Sequence, residues 1–107
     1  MRFRAILHEG VVPEAARPAL ADGVRRVYAA LFEVPAEAVA VDFTEFARGR
    51  FFTAGKPSTS SIVAGTVPSG TSTAQRHRLL SEITALWCET TACTPHQVVV
   101  TAADART

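Results

Sequence analysis

"AVAVDFTEF" (Ala38–Phe46) is the stretch on which the architecture turns. Val39, Val41 and Phe43 alternate with Ala40, Asp42 and Thr44, the period-two pattern of a strand with one strongly apolar face. The preceding segment, "EGVVPEAARPALADGVRRVYAALF" (Glu9–Phe32), has a different rhythm. Its Leu20, Val24, Val27 and Leu31 recur at spacings of four, three and four, which places them on one face of a helix. Pro13 suits the first helical position, where its missing N–H costs nothing. Pro18 would clash with the carbonyl four residues back, so a kink or a late helix start is expected there. Further back, "FRAILH" (Phe3–His8) is an apolar strand candidate, so the first half reads β-α-β.

The same order recurs. Displacing the sequence by 60 residues superposes Gly10 on Gly70, Leu20 on Leu80, Pro35 on Pro95 and Val39 on Val99. "SIVAGTV" (Ser61–Val67) and "QVVVTA" (Gln97–Ala102) are strand candidates on either side of a helix from Thr73 to about Thr90. Ser72 and Gln75 have capping-box spacing for that helix, and Leu79, Leu80, Ile83, Leu86 and Trp87 supply its apolar face. The expectation is one domain over residues 1–107 with an internal repeat, 1–60 and 61–107. Its class is α/β (α+β), a tandem β-α-β repeat whose four-stranded sheet carries both helices on one face. The other face is expected to expose Ala40, Ala64, Ala102, Val98 and Val100, an apolar surface that self-association would cover.

The chain's 107 residues are 48% hydrophobic and 20% charged, with a net charge of +1, an ordinary globular balance. The arginines are scattered, which argues against a nucleic-acid partner. No apolar run reaches the roughly 20 residues needed to cross a bilayer, so no membrane partner is expected and the cytoplasm is the expected location. Cys88 and Cys93 are spaced for neither a disulfide framework nor a zinc knuckle, and read as reduced residues at the core or its rim. A metal site drawn from His77, Cys88, Cys93 and His96 fits no familiar tetrahedral spacing, and neither metal nor cofactor is expected.

"ILHEG" (Ile6–Gly10) closing the first strand, "VPAEAVAVDFTEFARGRFF" (Val34–Phe52) and "SGTSTAQRHRLLSEIT" (Ser69–Thr84) together resemble the tautomerase superfamily over nearly the whole chain. That superfamily includes 4-oxalocrotonate tautomerase, the cis-3-chloroacrylic acid dehalogenase group and macrophage migration inhibitory factor. The resemblance implies a homotrimer, and a catalytic N-terminal proline whose amine shuttles a proton on a small enol or keto acid while arginines hold the carboxylate. Here Met1 stands in the proline's place, and the bulk of Arg2 behind it predicts that the methionine is retained. Val11, Ala40, Pro68 and Thr71 occupy positions where relatives carry arginines, and only the aromatic at Phe51 matches the pocket.

The resulting expectation is a superfamily scaffold with weak or no keto-enol tautomerase activity, possessing a site for a small carboxylate. Its candidate contacts are Arg2, Arg4, Arg48, Arg50 and Phe51. The alternative is an active isomerase in which the Met1 α-amino group, its pKa lowered by an apolar pocket, is the base or Schiff-base nucleophile. A third reading makes Glu9, Asp42 or Glu45 an acid–base catalyst beside His8, His77 or His96. The segment "RGRFFTAGKPSTSS" (Arg48–Ser61) is expected to form a hairpin that reaches over a neighbouring subunit.

Overall fold

A computed structural model describes residues 2–8, 10, 12–46, 52–53, 56–57 and 61–104. Among the described residues, six strands and two helices follow one another as β1 (Arg2–His8), α1 (Arg17–Phe32), β2 (Ala40–Phe46), β3 (Phe52–Thr53), β4 (Lys56–Pro57), β5 (Ser61–Val67), α2 (Thr73–Thr91) and β6 (Val98–Asp104). The main sheet has the order β2-β1-β5-β6. Within each unit the strands are parallel, β1 with β2 and β5 with β6, as a crossover helix requires. The units meet at an antiparallel seam between β1 and β5. Strands β3 and β4 pair antiparallel as a separate small hairpin inside the segment expected to form one.

Every second residue of β1 is fully buried: Phe3, Ala5 and Leu7. With Val63 and Val67 of β5 they meet Leu20, Val24 and Tyr28 of α1 and Leu79, Ile83 and Trp87 of α2 in a single core cluster. Phe3 lies opposite Gly65 across the seam, and a Cβ at Gly65 would fall 2.1 Å from the Phe3 ring. The glycine therefore provides the space that the ring fills.

Helix α1 starts late. Pro13 precedes a short 3-10 turn, Glu14–Ala16, instead of opening the helix, and Pro18 falls in the first turn of α1, where no N–H is needed. Helix α2 begins as expected: the Ser72 hydroxyl accepts from the Gln75 backbone N–H at 3.1 Å. Both helices end on a left-handed residue that is not glycine, Glu33 (φ 54°) and Ala92 (φ 58°).

The two β-α-β units correspond position by position, at a spacing that changes along the chain. Offset 60 holds for the first strands and for Gly10 and Gly70, both at positive φ. Beyond them the equivalent positions are 59 apart: Leu20 and Leu79, Val24 and Ile83, Tyr28 and Trp87, Glu33 and Ala92, Val39 and Val98. Ion pairs obey the same rule, because Arg17–Glu45 in the first unit is matched by Arg76–Asp104 in the second. The second unit is thus one residue shorter between its positive-φ glycine and its helix.

That single residue corrects the expected composition of the open face. At offset 60, Val98, Val100 and Ala102 fall in phase with residues on the open side of β2. A slip of one residue moves a whole strand's side chains to the opposite face. Val98 is buried with the core, Val100 and Ala102 pack against it, and the open-side residues of β6 are Val99, Thr101 and Ala103. Ala40 and Ala64 lie on the open side as expected.

Candidate functional site

The open face of the sheet is divided by chemistry. Alternation from the buried Phe3, Ala5 and Leu7 turns Arg2, Arg4 and Ile6 away from the helices. Ladder partners share a face, so Arg4 lies between Asp42 of β2 and Ala64 of β5, and Ile6 between Thr44 and Ile62. Arg2 Nε forms an ion pair with Asp42 Oδ2 at 3.3 Å, with both side chains largely exposed. Such a pair is worth about 0–1 kcal/mol, enough to orient the guanidinium and too little to hold it rigidly. Arg2, Arg4, Ala64, Gly65 and Thr66 line a shallow depression of about 340 Å³. Beyond it the face becomes apolar along Ile6, Ile62 and Val99, the last being 49% exposed.

Of the residues expected to contact a carboxylate, Arg2 and Arg4 come together on one rim. Met1, Arg48, Arg50 and Phe51 lie outside the described residues. Two positions where the resemblance places arginines take other roles. Ala40 is the register partner of Arg2, and the Thr71 hydroxyl donates to the Pro68 carbonyl at 2.6 Å, closing the turn before α2. Thr66, which sequence reasoning missed, joins the arginines as a hydroxyl on the rim; nothing but its strand phase could have pointed to it.

The acid–base constellation does not assemble among the described residues. Asp42 is engaged by Arg2 on the open face, whereas Glu45, three positions on, lies on the helix side and is engaged by Arg17 at the start of α1. His77 is exposed near the start of α2, and His8 is buried at the far end of β1 beside Phe46. Glu9 and the His96 side chain lie outside the described residues. Among the described residues, no group of three His, Cys, Asp or Glu side chains could hold a metal ion, and no helix is long and apolar enough to cross a membrane.

No family model and no curated protein matches the chain. Solved structures do. The crystal structure of native Ps01740 superposes with a TM-score of 0.90 at 29% identity, covering 100% of this chain and 94% of that one. N1, a member of the cis-3-chloroacrylic acid dehalogenase family, superposes at 0.91 with 21% identity, over 98% of this chain and 75% of that one. The chain has the tautomerase-superfamily fold. A fused 4-OT solved as a symmetric trimer also superposes, at 0.86 with 17% identity, over 98% of this chain and 85% of that one. The tautomerase fold places the open face, with its arginines, on the side of the sheet away from both helices.

Proposed function

We propose that this chain is a tautomerase-superfamily scaffold that binds a small carboxylate, has weak or no keto-enol tautomerase activity, and works as a cytoplasmic homotrimer. The observation that carries this reading is the pair of guanidinium groups of Arg2 and Arg4 on the rim of one depression, beside Thr66. Planar guanidinium groups suit a carboxylate because two parallel N–H donors match its two oxygens. Asp42 engages Arg2, while among the described residues no carboxylate engages Arg4.

Weak catalysis follows from what stands around that rim. On this reading Met1 stands where relatives carry the catalytic proline, and a primary amine replaces the secondary amine that the family's chemistry relies on. Ala40 and Thr71 bring no charge to positions where relatives hold the substrate. Losing a positioned general base costs about 10²- to 10⁴-fold, and losing an electrostatic anchor adds a further factor. Support for the trimer comes from the apolar half of the open face and from the trimeric fused 4-OT relative.

The test is a rate measurement with phenylenolpyruvate and 2-hydroxymuconate, expected to lie near background. A kcat/KM of about 10⁴ M⁻¹s⁻¹ or more overturns the reading. If acetylating the α-amino group then abolished that rate, Met1 would be the base.

A further inference from the structure

We propose that Cys88 and Cys93 are a reversible dithiol–disulfide pair that clasps the end of α2 to the turn leading into β6. Their spacing of five gives no hint of this, since neighbours on a continuous helix are three or four residues apart. The contact comes from the left-handed residue between them. Ala92 ends α2 at φ 58° and reverses the chain, and in a helix terminus of this kind the residue after the left-handed one folds back over the last turn. Here it sets Cys93 Sγ 3.7 Å from Cys88 Sγ. Both cysteines are half-buried at the rim of the core.

The first unit shows that this turn does not call for sulfur. Glu33 is its left-handed residue, and the positions equivalent to Cys88 and Cys93 are Ala29 and Val34. On the other side of Cys93, Thr94 and Gln97 cap the next turn reciprocally, with the Thr94 backbone N–H donating to Gln97 Oε1 at 2.9 Å. Cys93 is thus held between two fixed turns, and a disulfide, about 2.05 Å between sulfurs, draws the pair closer than their present 3.7 Å.

The oxidant is a low-molecular-weight disulfide such as oxidised glutathione. One cysteine thiolate attacks a sulfur of the reagent and expels one reagent thiolate, leaving a mixed disulfide. The second cysteine thiolate attacks the protein-side sulfur and expels the other. Two protein thiols are oxidised, one reagent disulfide is reduced, and the two thiol protons pass to the released thiolates. Burial, followed by the contact with Cys93, pushes the Cys88 thiol above its ordinary pKa, so exchange quickens as pH rises.

The experiment equilibrates the folded protein in mixtures of reduced and oxidised glutathione, counts thiols after unfolding, and reads intact mass and non-reducing mobility. Both thiols are expected to disappear together, with the loss of two hydrogen atoms and no crosslinked species. Emission from Trp87, the sole tryptophan and the residue before Cys88, should change with them. The melting temperature should rise by about 4 °C or more, and the Cys88→Ser and Cys93→Ser variants should show none of these effects. A crosslinked dimer, a stable glutathione adduct on one cysteine, or two thiols surviving in oxidised glutathione alone would each overturn the proposal.

Discussion

On the helix side of the sheet, Leu20, Val24, Tyr28 and Val39 of the first unit stand where the second has Leu79, Ile83, Trp87 and Val98, all nearly or fully buried. On the open side, Arg2, Arg4 and Asp42 stand where the second has Ile62, Ala64 and Thr101. Both units keep these positions apolar, though Val24 stands against Ile83, Tyr28 against Trp87, and Phe3 and Ala5 of β1 against Val63 and Gly65 of β5. Where packing sets no condition, they have diverged in charge. The open face is therefore asymmetric, charged where Arg2 and Arg4 stand and apolar along Ile6, Ile62 and Val99.

Placing charge in the apolar half should break this contrast most severely. Ile62→Asp is expected to weaken assembly at least 100-fold, about 3 kcal/mol, as read by sedimentation across a dilution series. An unchanged assembly would mean that the face is not buried between copies. Arg4→Ala sharpens the comparison from the other half: carboxylate binding measured by calorimetry should fall about tenfold, some 1.5 kcal/mol, with assembly intact. At the seam between the halves, Gly65→Ala forces a methyl into the Phe3 ring and should cost about 1–3 kcal/mol in chemical denaturation. A neutral result would show that the ring has room to move.

The smallest effect concerns the equivalent pair Tyr28 and Trp87. Among the described residues, neither the Tyr28 hydroxyl nor the Trp87 indole N–H has a hydrogen-bond partner, although both atoms are buried. Tyr28→Phe removes such a group and should stabilise the fold by about 1 kcal/mol. Burial also raises the Tyr28 pKa above the ordinary 10.0. The folded state then holds this proton where the unfolded state releases it, so the associated stability is present below about pH 10 and is lost as pH rises. The variant should lack that alkaline loss in denaturation profiles, and a loss of equal size in both proteins would assign it elsewhere.

Much of the fold was legible because its signals are periodic: Val39, Val41 and Phe43 at period two, Leu20 and Val24 at helical spacing, and Ser72 with Gln75 at a helix start. The face of β6 was not legible. Val98–Val100 is apolar on both sides, and the apparent period of 60 carried the strand out of phase. Pro13 misled because a proline suits the start of a 3-10 turn as well as that of a helix. The left-handed turns at Glu33 and Ala92 lack the glycine that usually announces them, so the approach of Cys88 and Cys93 could not be anticipated. The paired arginines on the open rim were named as residues, but only the register of β1 with β2 and β5 gives them Asp42 and Ala64 as neighbours.

The antiparallel seam has a consequence for how the two halves recognise each other. Arg4 and Ala64 are equivalent positions in the repeat and also partners across the seam, so the local twofold axis passes between them. If two copies of the first half paired through the same seam, Arg4 would face Arg4, and like charges directly opposite on one face repel. Two copies of the second half would set Ala64 against Ala64, with no penalty and no charge to guide them. The mixed pairing relieves the repulsion, so a single arginine on a small-residue seam discriminates against the wrong association of the half that carries it.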